Sequence, residues 1–237
     1  MTMGKRIISQ RRGKGSPTYK SPSHRFRTAV RHMGGSQVLS GKVVDIVNCP
    51  GHSSPLAKVK YENGDTNYII APEGMAVNHS VSTGSTNIEK GSCVALRHIP
   101  EGTLIYNIEN QPGDGGKFVR SSGLAARVIA KFDKQVVVLL PSKKEKMFHP
   151  ECRANIGMIA GSGRKEKPLV KAGANYFKFR ARNKLYPKTS GTSMNAVDHP
   201  YGTSRSSKKG RPTIARKNAP PGAKVGKIRP RRTGRKR

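Results

Sequence analysis

Three sets of residues in this chain have the types that enzymes use. Gly191 to Gly202 reads Gly-Thr-Ser-Met-Asn-Ala-Val-Asp-His-Pro-Tyr-Gly and holds Ser193, Asp198 and His199, which have the chemistry of a nucleophile, an acid and a base. Gly113-Asp114-Gly115-Gly116-Lys117 has the glycines and lysine of a phosphate loop. Cys49-x-x-His52 and His149-x-x-Cys152 have the spacing of zinc-ligand pairs. Each falls short on physical grounds. Adjacent Asp and His side chains point apart in most backbones, and no strand–turn–helix pattern surrounds Ser193 to make a nucleophile elbow. An NTPase loop needs Gly five residues before Gly116, where Gln111 stands, and Ser or Thr after Lys117, where Phe118 stands. The two Cys–His pairs lie almost 100 residues apart, and satisfied loop or core residues explain them more simply than a zinc site does. The expectation is a chain that is not an enzyme and holds no cofactor of its own.

The elements that would position these residues are separated by charge. The 237 residues contain 46 Lys and Arg against 13 Asp and Glu, a net charge of +33, with 34% hydrophobic residues and no Trp. Residues 1–32 carry +9 and no acid, 33–151 only +2, 152–201 +8, and 202–237 +14, again without an acid. A folded, near-neutral middle with basic extensions follows. Segments so charged, with few apolar residues, cannot bury enough surface to offset chain entropy alone, and a polyanion is their natural partner. The absence of a long apolar run excludes a transmembrane helix. The N-terminus has no apolar core of a secretory signal, and three scattered cysteines point to a reducing, intracellular compartment.

The middle reads as all-β. Short β-branched runs at Gly41 to Val47, Leu56 to Tyr61 and Tyr68 to Ala71 flank the hairpin signal Asn63-Gly64. A second group follows at Cys93 to Arg97, Gly102 to Ile108, Lys117 to Arg120, Arg127 to Phe132, Gln135 to Leu140 and Cys152 to Ala160. Strands this short between Gly and Pro turns indicate two small barrels. The spacing predicts an N-terminal extension over 1–36, barrels over 37–88 and 89–163, and a C-terminal extension over 164–237. No long 3.6-residue pattern competes with this reading.

Within the extensions, Arg11, Arg12, Lys14, Lys20, Arg25, Arg27 and Arg31 alternate with Tyr19, His24 and Phe26, a pattern suited to phosphate contacts and base stacking. Lys171, Lys178, Arg180 and Arg182 alternate with Tyr176, Phe177 and Phe179 in the same way, with packing against a barrel as the alternative for these rings. Arg229, Arg231, Arg232, Arg235 and Arg237 supply planar forks for phosphate or base faces.

At Gly191 to Gly202, with Met194-Asn195 and Val197-Asp198-His199-Pro200, the sequence closely resembles the universally distributed family of the second large-subunit ribosomal protein. Gly4 to Arg12, Ala71-Pro72-Glu73-Gly74, Ile99-Pro100-Glu101-Gly102, Pro112 to Lys117 and Cys152-Arg153-Ala154 look like further family segments. So do Lys167-Pro168-x-Val170-Lys171-Ala172-Gly173, Ala219-Pro220-Pro221-Gly222 and Arg231-Arg232-Thr233-Gly234-Arg235, in order along the chain. Gly4-Lys5-Arg6-Ile7 looks like the archaeal and eukaryotic branch, with the archaeal side favoured by Asn195-Ala196-Val197-Asp198. The chain departs from the usual pattern at Thr192-Ser193, and at Thr203-Ser204, where a glycine pair is usual.

The resemblance implies an OB-like barrel followed by an SH3-like barrel, with irregular basic extensions that penetrate rRNA. It implies a cytoplasmic, ribosomal protein near the peptidyl-transferase centre, with roles in subunit association, tRNA binding and peptide-bond formation catalysed by RNA. Its partners would be large-subunit rRNA, other ribosomal proteins, small-subunit rRNA across the interface and nearby tRNA, with no membrane; the only metal expected is Mg²⁺ on the rRNA. His199 would be the sensitive histidine. Met194, Asn195 and Asp198 would share its loop. Lys117, Arg153, Lys171, Arg180, Arg182, Arg205, Lys208 and Lys209 would join the arm residues on RNA.

Overall fold

The computed structural model of the chain describes residues 4–35, 37–202 and 211–228. Thr203, Ser204, Arg205, Lys208, Lys209, Arg229, Arg231, Arg232, Arg235 and Arg237 lie outside the described residues. Two compact units are present, one formed by residues 23–168, the body, and one by residues 1–22 and 169–237, the basic unit. No helix among the described residues is long and apolar enough to cross a membrane.

The body is two successive small β lobes, OB-like then SH3-like. In the first, β1 (Leu39–Val47), β2 (Leu56–Tyr61), β3 (Thr66–Ile70) and β4 (Ser80–Thr83) pair antiparallel in the order β3-β2-β1-β4. Asn63-Gly64 closes the β2–β3 hairpin, with Lys60 opposite Thr66. Alternation buries Gly41 and Val43, then slips between Val43 and Asp45, and this bulge leaves Val44 and Ile46 exposed.

The second lobe contains β5 (Cys93–Ala95), β6 (Leu104–Tyr106), β7 (Ala126–Phe132), β8 (Gln135–Leu139), β9 (Glu145–Phe148) and β10 (Arg153–Ile156). Their order is β5-β10-β6-β7-β8-β9, so the last strand enters between the first two. One parallel pair, Thr83 with Cys93, joins the lobes.

Each lobe has its own core. Val43, Val59, Tyr61 and Val81 fill the first; Val94, Leu96, Ile105, Val128, Val138 and Phe148 fill the second. A third cluster spans both, with Leu56 and Ile70 from one lobe against Tyr106 and Ile159 from the other, and the Tyr106 hydroxyl donates to the Ile70 carbonyl at 2.9 Å. Each such fully buried side chain contributes roughly 1.5–3 kcal/mol, enough to make the body a rigid frame.

The structure departs from the sequence reading in specific places. Lys117 to Arg120 makes only one isolated bridge, Ile108 to Phe118, because Val119 has φ +52° and breaks the extended run. The run from Cys93 ends at Ala95 in a 3₁₀ turn, Leu96–His98, and that from Cys152 ends at Ile156, before Gly157 at φ +116°. Strands β4 and β9 were not expected, since their Ser, Thr and charged residues carry little apolar signal.

The basic unit contains two helices, α1 (Ile8–Gly13) and α2 (Ala172–Arg180). Helix α2 follows Pro168 and ends with Lys178 and Arg180, cations that favour the negative end of the helix dipole. None of its residues is buried and its apolar side chains lie on no single face, so no 3.6-residue pattern betrays it.

Candidate nucleic-acid interface

The glycine-rich loop already holds an anion, one from its own chain. The Glu109 carboxylate is fully buried and accepts hydrogen bonds from the backbone N–H groups of Gly113 (3.2 Å), Gly115 (3.2 Å) and Arg153 (2.9 Å), and from the Arg153 guanidinium at 3.1 Å. Hydrogen bonds and the Arg153 charge hold its carboxyl below the usual carboxylate range despite burial, which alone acts the other way. Asp114 braces the loop from outside, accepting from the N–H groups of Asn110, Gln111 and Gly116. Gly116 sits at φ +93°, and a Cβ there would run into the Asn107 side chain. The amides that a nucleotide phosphate would need are thus engaged by Glu109 and Asp114.

The same network fixes residues 30–33 to the body. Arg120 donates to the Val30 carbonyl (2.7 Å) and Asn67 to that of Arg31 (3.0 Å). Arg153 donates to the carbonyl of Met33 (2.7 Å). Buried His32 lies 2.7 Å from the Asn107 carbonyl and 3.2 Å from the Cys93 sulfur, and burial lowers its pKa to about 4. Arg153, expected on RNA, is instead turned inward, because its planar fork is engaged by Glu109 and the Met33 carbonyl. Lys117, Arg25 and Arg27 remain exposed.

Beside this staple the body has a hollow of about 490 Å³ lined by Phe26, Arg31, His52, Lys117 and Arg120, among others. The half-buried Phe26 ring lies against Gly51, where a Cβ would come within 2.7 Å of it. His52 faces Cys49, with 3.2 Å between ring nitrogen and sulfur, whereas Cys152 lies in the core of the second lobe. Burial pushes the Cys152 thiol up to about 11, away from the thiolate that binds metal. Among the described residues no three His, Cys, Asp or Glu side chains gather as a metal site.

In the basic unit, the loop around His199 is held by its own neighbours. The Tyr201 N–H donates to His199 Nδ1 at 3.0 Å, so the neutral ring carries its proton on Nε2. Burial lowers the pKa of the ring and favours that neutral form. Gly191 packs directly on the ring, and a Cβ there would collide with it. The Lys5 N–H donates to the Val197 carbonyl at 2.9 Å, and the Lys5 ammonium lies 4.0 Å from Asp198. Buried Tyr201 anchors the far side, its single hydroxyl hydrogen shared between the carbonyls of Pro212 (3.1 Å) and Val225 (3.3 Å).

A hollow of about 370 Å³ beside the loop is lined by Arg12, Lys188, Met194, His199 and Lys224, among others. Asn195 is exposed, and Ser193 closes a one-turn 3₁₀ helix, Gly191–Ser193. Arg11, Lys14, Lys171 and Arg180 are exposed and Arg182 is half-buried. Sequence reasoning missed Arg120 as a brace, and Lys188 and Lys224 beside the histidine; ordinary lysines and arginines carry no signal of where a fold will gather them.

Comparison with known proteins supplies the family. Residues 5–83 match the family described as Ribosomal Proteins L2, RNA binding N-terminal domain, and residues 89–222 match Ribosomal Proteins L2, C-terminal domain. The chain is 49% identical over 241 residues to large ribosomal subunit protein uL2 of Methanothermobacter thermautotrophicus, covering 99% of this chain and 100% of that protein. It is 46% identical to uL2 of Methanococcoides burtonii, over 99% of this chain and 100% of the relative. For uL2 of Archaeoglobus fulgidus the identity is 47%, over 98% of this chain and 99% of the relative. The chain belongs to the ribosomal protein L2 family.

Proposed function

We propose that this chain is a structural rRNA-binding component of the large ribosomal subunit, seated near the peptidyl-transferase centre, where it supports subunit association, tRNA binding and peptide-bond formation. The observation that carries this reading is the full-length match to large-subunit proteins combined with a charge excess concentrated in one unit. Large-subunit rRNA is its principal partner, with other ribosomal proteins, small-subunit rRNA and tRNA close by. The ribosome of the cytoplasm is its place of work.

The mechanism follows from charge and rigidity. The body supplies a stiff frame, and the basic unit and extensions exchange phosphate counterions for Lys and Arg as they settle on RNA. Arg11, Arg12, Lys14, Lys171, Arg180 and Arg182, with Arg205, Lys208, Lys209, Arg229, Arg231, Arg232 and Arg235, serve that exchange. His199 offers an uncharged Nε2–H donor from a fixed ring, which orients an RNA or tRNA group without adding charge to the reaction. The chemistry is RNA's; Mg²⁺ at this interface is the rRNA's own.

Co-sedimentation of the tagged chain with the large subunit, abolished by RNase, is the first expected result. Free sedimentation in an unbroken lysate would overturn the assignment. Subunits carrying only His199→Ala are expected to assemble yet to lose subunit joining or peptide-bond formation. Normal translation by those subunits would remove His199 from the mechanism.

A further inference from the structure

The end of α2 and the N-terminal turn over residues 16–20 build a second hollow within the basic unit, of about 230 Å³, lined by Tyr19, Tyr176, Arg180, Lys184 and Tyr186 among others. Its walls are fixed from within. Asn183 adopts φ +47°, and its side-chain amide donates to the carbonyls of Pro17 (3.1 Å) and Lys20 (2.7 Å), tying the N-terminal turn to the chain leaving α2. Phe179 stacks on Tyr186 at 5.4 Å with an interplanar angle of 5°, and this pins the far wall. The Ser16 carbonyl accepts from the N–H groups of Tyr19 and Lys20, both at 2.9 Å, which sets the near one.

The chemistry of this hollow is narrow. Its aromatic lining is three tyrosines, flat faces with a polar edge, and its charges are two cations. The only acidic residue of the whole unit, Asp198, lies beside Lys5. The volume falls below the roughly 300–1,000 Å³ of pockets for drug-sized ligands. A small planar group bearing a negative charge at its rim fits such a site, and an unstacked nucleotide is that group.

The geometry points to this hollow as the socket for one extruded rRNA base, stacked on Tyr19 or Tyr176, with Arg180 and Lys184 on its flanking phosphates. This inference rests on the rRNA-binding reading and names one subsite within it. Base stacking on an aromatic ring is worth about 5- to 100-fold in affinity and is insensitive to salt, whereas a phosphate contact appears in the salt slope.

Ultraviolet cross-linking of the full chain to large-subunit rRNA, followed by mass spectrometry, tests the socket without any variant. A mononucleotide adduct on a peptide containing Tyr19 or Tyr176 is expected. The double variant Tyr19→Leu/Tyr176→Leu should bind the same rRNA about 5- to 100-fold more weakly with an unchanged salt slope, and Tyr19→Phe/Tyr176→Phe should bind like the wild type. Arg180→Gln should lower the slope magnitude by about 0.7–0.9. Adducts confined to other basic peptides, or leucine variants that bind like the wild type, overturn the socket. So does a cross-link from these tyrosines to another protein in purified subunits, which assigns the hollow to a protein partner. Steep, salt-dependent binding with an inert hollow defeats this inference alone, whereas absent rRNA binding defeats the broader reading.

Discussion

Residues 23–168 carry 20 Lys and Arg against 12 acids, while residues 1–22 and 169–237 carry 26 against one. The first unit spends its key polar groups internally: Arg153 answers Glu109, Arg120 answers the Val30 carbonyl, and His32 is buried among Asn107 and Cys93. Among the described residues of the second unit, the ion pair is Lys5 with Asp198, long and solvated. One unit therefore answers much of its charge internally, and the other carries a large excess of positive charge with a single acid to set against it. The same residue type, arginine, is structural glue in the first and, under the proposed function, a docking group in the second, and only its acceptors distinguish the two uses.

The largest expected effect concerns the second unit. Raising salt from about 50 to about 200 mM should weaken rRNA binding roughly 10³-fold, with a log–log slope magnitude on the order of 5 or more. Filter binding or fluorescence anisotropy measures it, and a slope magnitude below about 2 would end the counterion account. Next comes the body's buried ion pair, Arg153 with Glu109. Arg153→Met leaves the buried Glu109 carboxylate without its cation and should destabilise the body by about 3–5 kcal/mol in urea unfolding followed by circular dichroism. The salt slope should stay where it was; a change in slope would mean that Arg153 also meets phosphate.

Acid provides a third test of the difference. His32 is neutral in the folded body and has a pKa of about 4 there against 6.5 in the unfolded chain, so below neutrality the unfolded state binds the extra proton. The stability it confers is complete above about pH 6.5 and is lost as pH falls toward 4, by roughly 2–3 kcal/mol. Glu109, with its carboxyl held low, adds a further loss as pH falls below its unfolded value of 4.5. Unfolding free energies that stay flat from pH 7 to 4 would show that the staple is not protonation-sensitive. Smallest of all, Asp198→Asn should change stability by less than about 1 kcal/mol, because the pair is exposed. A larger loss in thermal melts would make that carboxylate, rather than the Lys5–Val197 backbone bond, the fastener of the His199 loop.

Legibility in the sequence followed the range of the interactions. The hairpin at Asn63-Gly64 was readable, because β-branched residues flank turn residues within a few positions. Strand β9 was not, since charges at Glu145 and Lys146 mask its pairing with β8. Helix α2 was hidden by its lack of an apolar face. The glycine-rich loop reads as a departure from the NTPase pattern through its missing Gly and Ser/Thr, but its partner within the chain, Glu109, carries no local signal. Arg153 looked like every other basic residue; its inward turn depends on acceptors 44 and 120 residues away. The loop at Gly191 to Gly202 was readable through its resemblance, whereas the Tyr201 amide that sets the histidine's tautomer was not.

Strand β10 sets a timetable for synthesis. Strands β5 and β6 do not pair with each other; both wait for β10, whose residues emerge some 50 residues after β6. The second lobe therefore stays open on the nascent chain until Ile156 is available, and its central contacts form late because they span such long loops. Most of the basic unit is translated only after that point. A growing chain thus has the means to close its frame before most of its excess positive charge emerges.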